Sequence, residues 1–366
     1  MLSSEKEFLS LFGWDDFFES QNSNLNSSSL FLARVICEER NLYRLQVGID
    51  EVLWASVSGK KLFKAKTRVD YPAVGDWVVV ELPDLSDRGV IHDIIPRKTM
   101  IHRKQVGSSA DMQILSTNVD YVFVTTSVNE DLNYRRIERY LAVAWEARAA
   151  PVILLTKADI CTEKIAAIVA DVQSEFPGVP VHALSKDDFA KADFLSEYLV
   201  KGKTGVFIGS SGVGKSTLVN FLIGHEQIKT QDVRESDGKG RHTTTSRSLY
   251  VSRYGGLIID TPGMRELQLA DHAEGVTAQF SDIEDLTKEC RFSDCRHQAE
   301  PGCAIQEALA EESLSEERWT SYQKLEAEVR HGQRRQNKVL LAEDRKAWKK
   351  ISLQTRKERH LKKGFN

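Results

Sequence analysis

The chain has 366 residues, 41% of them hydrophobic, with a formal net charge of −3 and five cysteines. This is ordinary globular composition, with core enough for two or three domains, and an odd cysteine count is no disulfide framework. No apolar run approaches the ~18 residues of a bilayer span, and Met1–Glu7 lacks a basic-then-apolar signal pattern, so a cytoplasmic protein without membrane contact is expected.

The chain opens on an aromatic amphipathic segment, Phe8, Leu9, Leu11, Phe12, Trp14, Phe17 and Phe18, which can dock on a partner or on its own domain. Glu19 to Ser29 is rich in Ser and Asn and reads as a linker, which makes residues 1–29 an N-terminal extension. From Leu30 to Arg97 short alternating runs follow, among them Phe31–Ile36, Tyr43–Val47, Val52–Val57 and Asp76–Glu81. About five such strands in so short a span predict a small β-barrel over residues 30–100, most simply an OB-fold. Lys60, Lys61, Lys64, Lys66 and Arg68 lie between two of them, as a nucleic-acid-binding loop or an ordinary solvated one.

Residues 101–272 carry three nucleotide motifs. The first is Thr156-Lys157-Ala158-Asp159, at the end of the apolar run Pro151–Leu155. The Asp159 carboxylate can accept from both N1–H and the N2 amine of guanine, a donor pair adenine lacks. The Lys157 stem can lie along the base. Thr156 stands where such sites more often carry Asn, so an amide donor is lost and some weakening is expected. His182–Ser185 is a weaker candidate for a second base-contacting loop.

Next comes Gly209-Ser210-Ser211-Gly212-Val213-Gly214-Lys215-Ser216-Thr217, between the apolar run Gly205–Ile208 and a helical pattern through Ile223. This strand–loop–helix context is what a phosphate loop needs, because backbone N–H groups at a helix N-terminus converge on phosphate. Lys215 is expected to reach the β- and γ-phosphates and the Ser216 hydroxyl to ligate Mg²⁺. Asp260-Thr261-Pro262-Gly263 follows the run Gly256–Ile259. There Asp260 can hold Mg²⁺ through water and the Gly263 N–H can meet the γ-phosphate. In an ordinary GTPase the phosphate loop comes first and the base reader last. Here the base reader leads, which predicts a circularly permuted α/β GTPase domain. The segment after Gly263 then runs almost directly into the next module, a route by which nucleotide state can move a neighbour.

That module, residues 273–329, holds Cys290, Cys295, His297 and Cys303 within fourteen residues. Three thiolates and one imidazole match a closed tetrahedral structural zinc site, with Pro301-Gly302 turning the chain before the last ligand. Ser313–Glu316 reads as a capping box, and Trp319, Tyr322, Leu325 and Val329 follow at helical spacing, so a mainly helical zinc module is expected. The tail, residues 330–366, carries 13 Lys and Arg against 3 Asp and Glu, a net +10 that reads as a polyanion contact or a solvated helix face.

The order β-barrel, permuted GTPase, Cys/His module resembles the ribosome-small-subunit-dependent GTPase A family from about Leu30 to Trp319. Its marks are Gly75-Asp76-Trp77-Val78, the three nucleotide motifs, Gly240-Arg241-His242-Thr243-Thr244-Thr245 and the zinc ligands. The resemblance implies a GTPase, expected to be monomeric, that binds the small ribosomal subunit and its rRNA late in maturation. It also implies faster hydrolysis when bound. The aromatic extension and the basic tail exceed the minimal pattern.

Met264 follows Gly263 where many GTPases carry a water-orienting glutamine, and an apolar side chain cannot do that. His242 is the nearest substitute, as a catalytic residue or as one that only positions the switch, and one of Thr243, Thr244 and Thr245 is expected to ligate Mg²⁺. Slow intrinsic turnover, stimulated by a partner, follows. Two other readings stand beside this one: a GTP-binding switch with negligible hydrolysis acting on a non-ribosomal partner, and an RNA-binding zinc protein with a structural nucleotide site.

Overall fold

The computed structural model describes residues 3–21, 29–39, 42–104, 112–129, 132–185, 192–224, 247–260, 273–298 and 300–330. The aromatic extension folds into two short helices, α1 (Ser3–Leu11) and α2 (Asp16–Gln21). Helical spacing puts Phe8 and Phe12 on one face, and these two, with Leu9 and Phe18, are buried.

What they bury against is the barrel that follows. β1 (Leu30–Glu39), β2 (Leu42–Gln46) and β3 (Val52–Val57) form an antiparallel meander. After α3 (Gly59–Lys64), β4 (Trp77–Glu81) pairs with both β1 and β5 (Arg88–Ile94), and β5 lies parallel to β3. The closed order β1-β2-β3-β5-β4 is that of an OB-fold. Alternate residues, Ala33, Val35, Tyr43, Leu45, Ala55, Val78, Val80 and Ile91, fill its interior. Part of the predicted basic loop is instead the short helix α3, capped where the Ser58 hydroxyl accepts from the Lys61 N–H at 3.3 Å. Lys61 itself is paired with Asp93 at 2.9 Å.

A two-stranded ribbon, β6 (Met100–Lys104) with β7 (Met112–Thr117), leads into the α/β domain. There β8 (Tyr121–Ser127), α4 (Tyr134–Glu146), β9 (Ala150–Thr156), α5 (Ile165–Glu175), β10 (Val181–Ala183), α6 (Leu195–Tyr198), β11 (Thr204–Gly209), α7 (Lys215–Ile223), β12 (Ser248–Val251) and β13 (Leu257–Asp260) build a sheet of order β10-β9-β8-β11-β13-β12. Its strands are parallel except β12. Burial of the central strands explains their unbroken apolar runs. The phosphate-loop strand β11 sits between β8 and β13, so the permuted chain still assembles a P-loop core.

The barrel and this sheet are joined. Cys37 of β1 pairs antiparallel with Ser248 of β12, which makes one eleven-stranded sheet among the described residues. The Gly75-Asp76-Trp77-Val78 mark lies at this junction. Gly75 has φ 98°, and a Cβ there would stand 2.2 Å from the Thr117 carbonyl oxygen, so only glycine lets the two units approach so closely. The fully buried Asp76 accepts two bonds from Arg97, at 2.8 and 2.7 Å. Trp77 forms the floor on which Phe8, Trp14 and Phe18 pack, with ring centroids 5.8, 5.1 and 6.4 Å away. Beside it the buried Arg34 guanidinium donates to carbonyls of Phe12 and Asn118 and to the Thr204 hydroxyl. Burial lowers its pKa to about 10, which still leaves it charged at neutral pH. One cation thus ties together the extension, the barrel and the α/β domain.

The C-terminal part is helical: α8 (Ala273–Gln279), α9 (Ser281–Lys288), α10 (Ala304–Ala310) and a helix over 316–330. Phe280, Ile283, Ile305, Leu314, Trp319, Tyr322 and Leu325 form its core, to which α4 contributes Ala142. Trp319 and Tyr322 stack in that core at 5.6 Å, so packing rather than an exposed aromatic platform accounts for them. The expected capping box differs. Ser315 caps the helix by accepting from the Arg318 N–H, while the Ser313 hydroxyl donates to the Ala308 carbonyl. Among the described residues no helix is long and apolar enough to cross a membrane.

Candidate functional site

β11 ends at Gly209, where the chain turns sharply away from β8. A Cβ at Gly209 would lie 2.0 Å from the Thr125 carbonyl oxygen, so the close approach of these strands requires glycine. The loop Ser210–Gly214 leads into α7, whose first residue is Lys215. The Lys215 ammonium bends back over the loop and donates to the carbonyl oxygens of Gly209, at 2.8 Å, and Ser210. Val213 is buried and anchors the loop, while Ser211, Gly212 and Ser216 are exposed, and Thr217 is half-buried in the first turn of α7.

Asp260 ends β13, beside β11. Burial pushes its carboxyl above the ordinary range, and the Lys215 charge offsets part of that rise. A partly desolvated carboxylate near a phosphate loop is suited to a cation. The structure places Lys215, Ser216 and Asp260 at one end of the sheet. His242, Thr243, Thr244, Thr245 and Gly263 lie outside the described residues.

Thr156 ends β9 on the other side of β8. Its hydroxyl is 2.6 Å from the Val213 carbonyl oxygen of the phosphate loop and 3.1 Å from that of Thr126. The hydroxyl thus bonds the phosphate loop from the position where such sites more often carry Asn. Lys157 has φ 58°, a left-handed conformation unusual for lysine, and it turns the chain so that Ala158 N–H donates to the Leu184 carbonyl at 3.0 Å. That bond joins the Thr156–Asp159 turn to Leu184, within the His182–Ser185 segment that is the weaker sequence candidate for contacting a base. Asp159 is exposed at the tip of this turn. The His182 ring does not face it. His182 stacks on Phe194, with centroids 4.1 Å apart, and meets the Tyr198 hydroxyl at 2.9 Å.

One contact escaped the sequence. Arg136, in the first turn of α4, donates from Nη1 to the Ser210 hydroxyl at 2.7 Å. No motif marks it, and the packing of α4 on β8 and β9 brings it to the loop.

In the C-terminal part the ligand atoms of Cys290, Cys295, His297 and Cys303 all lie within 4.8 Å of one another. Cys290 Sγ is 4.0 Å from Cys303 Sγ, and His297 Nδ1 is 3.5 and 3.6 Å from these two sulfurs. Tetrahedral bonds of ordinary zinc length place sulfurs about 3.8 Å apart and sulfur and nitrogen about 3.5 Å apart. The cluster therefore fits a metal ion. His297 has φ 58°, and Trp319 packs edge-on to its ring at 5.8 Å, fixing the ligand against the helical core.

The sequence model of the RsgA GTPase family matches residues 94–270. "Small ribosomal subunit biogenesis GTPase RsgA 1" of Oceanobacillus iheyensis is 45% identical over 90% of this chain and 93% of its own length. The protein named "Small ribosomal subunit biogenesis GTPase RsgA" in Opitutus terrae is 43% identical over 94% of this chain and 95% of its own. Among solved structures, YjeQ from Thermotoga maritima aligns with a TM-score of 0.61 at 25% identity, covering 82% of this chain and 98% of that one. YloQ, described as a circularly permuted GTPase, shares the fold with a TM-score of 0.61 at 23% identity, over 84% of this chain and 98% of its own. Relatives this similar over nearly the whole length, together with a permuted nucleotide site assembled on one sheet, establish that the chain belongs to the RsgA GTPase family.

Proposed function

We propose that this chain is a GTP hydrolase that acts in biogenesis of the small ribosomal subunit, binding that subunit and its rRNA late in maturation and turning GTP over faster when bound. The hydrogen bond between Thr156 and Val213 carries the reading of the site, because it joins the base reader to the phosphate loop in a chain where the two lie 57 residues apart. The relatives' names support the subunit as partner.

In this reading Gly209–Thr217 cradles the phosphates, and Lys215 exchanges its loop carbonyls for β- and γ-phosphate oxygens. Asp159 takes the guanine edge, with Thr156, Lys157 and Ala158 holding it in place. Ser216 and Asp260 hold Mg²⁺, which neutralises charge on the phosphates when bound. The Gly263 N–H meets the γ-phosphate, and His242 orients water where Met264 cannot. Cys290, Cys295, His297 and Cys303 hold one Zn²⁺, which supplies structural cross-linking when bound. The working units are residues 1–29, 30–100, 101–272, 273–329 and 330–366, in a cytoplasmic monomer. The basic tail supplies rRNA contact.

Co-sedimentation with purified small ribosomal subunits tests the partner. Binding with a non-hydrolysable GTP analogue should exceed binding with GDP. Equal recovery with and without subunits would reject the reading.

A further inference from the structure

α4 is gripped on two sides. At its start the Asn133 side chain caps the helix by accepting from the Arg136 N–H at 3.0 Å, which fixes the backbone from which Arg136 reaches Ser210. Ser210 is then held by two cations, Arg136 on its hydroxyl and Lys215 on its carbonyl. The Ser210 hydroxyl is the atom Arg136 holds.

Further along, α4 carries the C-terminal module. Arg139 pairs with Glu328 at 2.7 Å. Gly275 of α8 lies so close that a Cβ there would stand 1.8 Å from the Ala142 carbonyl oxygen. A displacement of the module is thus passed to α4, because packed helices with such close backbone contact move together rather than slide. Arg136 stands in the first turn of that same helix, within one turn of Arg139.

We propose that Arg136 is a positioning residue for GTP hydrolysis, holding the phosphate loop at Ser210 and making the loop sensitive to the placement of the zinc-bearing module through α4. This rests on reading the loop as the GTP site. Sequence motifs of the nucleotide site give Arg136 no role, and the coupling runs through a helix rather than through the segment after Asp260.

The test is a double-mutant cycle on steady-state GTP turnover by the full chain, with and without small ribosomal subunits. Arg136→Ala should lower the subunit-stimulated kcat by about tenfold, the loss of one charge-assisted hydrogen bond. KM for GTP should change by less than about threefold, because the lost contact acts on the transition state more than on binding. Ser210→Ala should lower kcat to the same extent, and the double variant should be no worse than either single one. Arg136→Lys keeps a donor and should recover part of the rate, and its thermal melt controls for folding. Additive losses, or a loss with Arg136→Ala that Ser210→Ala does not share, would overturn the inference. If the wild type itself hydrolyses no GTP under either condition, the proposed function falls. If the wild type is stimulated and the variants match it, only the role of Arg136 falls.

Discussion

The Thr156 hydroxyl stands 2.6 Å from the Val213 carbonyl oxygen and so fastens the end of β9 to the phosphate loop across β8. Both residues are buried, and an acceptor left without its donor there costs about 1–3 kcal/mol. Threonine thus donates to the phosphate loop from the position where such sites more often carry Asn.

Replacing that hydroxyl by a methyl, in Thr156→Val, keeps the volume and orphans the Val213 carbonyl. Affinity for GDP should fall by about tenfold, as one buried hydrogen bond warrants. Thr156→Asn restores a donor and should recover most of the loss. Titration with a fluorescent GDP analogue measures both, and a Thr156→Val protein that binds as wild type would remove the structural link between base reader and loop.

Asp159 lies at the exposed tip of the turn that Lys157 makes, tied through Ala158 to Leu184. In the proposed reading Asp159→Asn keeps one acceptor for guanine but sets an NH2 donor against the N2 amine, so GTP affinity should drop by about a hundredfold or more. Xanthine nucleotide should bind better than to wild type, since an amide can donate to its O2. Competition between GTP and XTP reads the exchange. Unchanged preference for GTP would mean that another residue reads the base.

Purified under reducing, chelator-free conditions, the protein should carry about one zinc per chain. Cys290→Ser removes a ligand that lies 3.5 Å from His297 Nδ1, and His297 packs on Trp319. Loss of the metal should therefore change tryptophan emission and lower the melting temperature of the C-terminal helices, while GTP affinity changes little. Metal analysis of the wild type that finds no zinc would reject the assignment.

The extension before residue 22 is part of the junction, not an appendage. Phe8→Ala removes a ring only 2% exposed that packs on Trp77, and should cost about 3–5 kcal/mol. Urea denaturation should show the transition of the barrel and the α/β domain shifting together, because Arg34 binds Phe12, Asn118 and Thr204 at once. A Phe8→Ala protein as stable as wild type would mean that the extension contributes nothing to that core.

The nucleotide motifs could be read from the sequence because each is a local pattern at a strand end, and their chain order alone discloses the permutation. The cluster of Cys290, Cys295, His297 and Cys303 is equally local. The five barrel strands show their alternation, but nothing local says that Cys37 will pair with Ser248, a contact 211 residues away in the chain. Arg136 is invisible in the sequence for the same reason, since its meaning depends on α4 packing on β8 and β9. The aromatic residues near the start announced burial but not the site of it. Only the folded arrangement puts Trp77 beneath them and makes Asp76 and Gly75 junction residues. The Lys60–Arg68 stretch reads as a loop in the sequence because its cations hide a short helix, Gly59–Lys64, capped by Ser58.

Steady-state GTP hydrolysis by the full chain, alone and with purified small ribosomal subunits, tests the central claim most directly. Turnover should be slow alone, rise by at least about tenfold with subunits, and vanish with Lys215→Ala, whose ammonium stands over the phosphate loop. Equal rates with and without subunits, or wild-type turnover by a folded Lys215→Ala protein, would contradict the account.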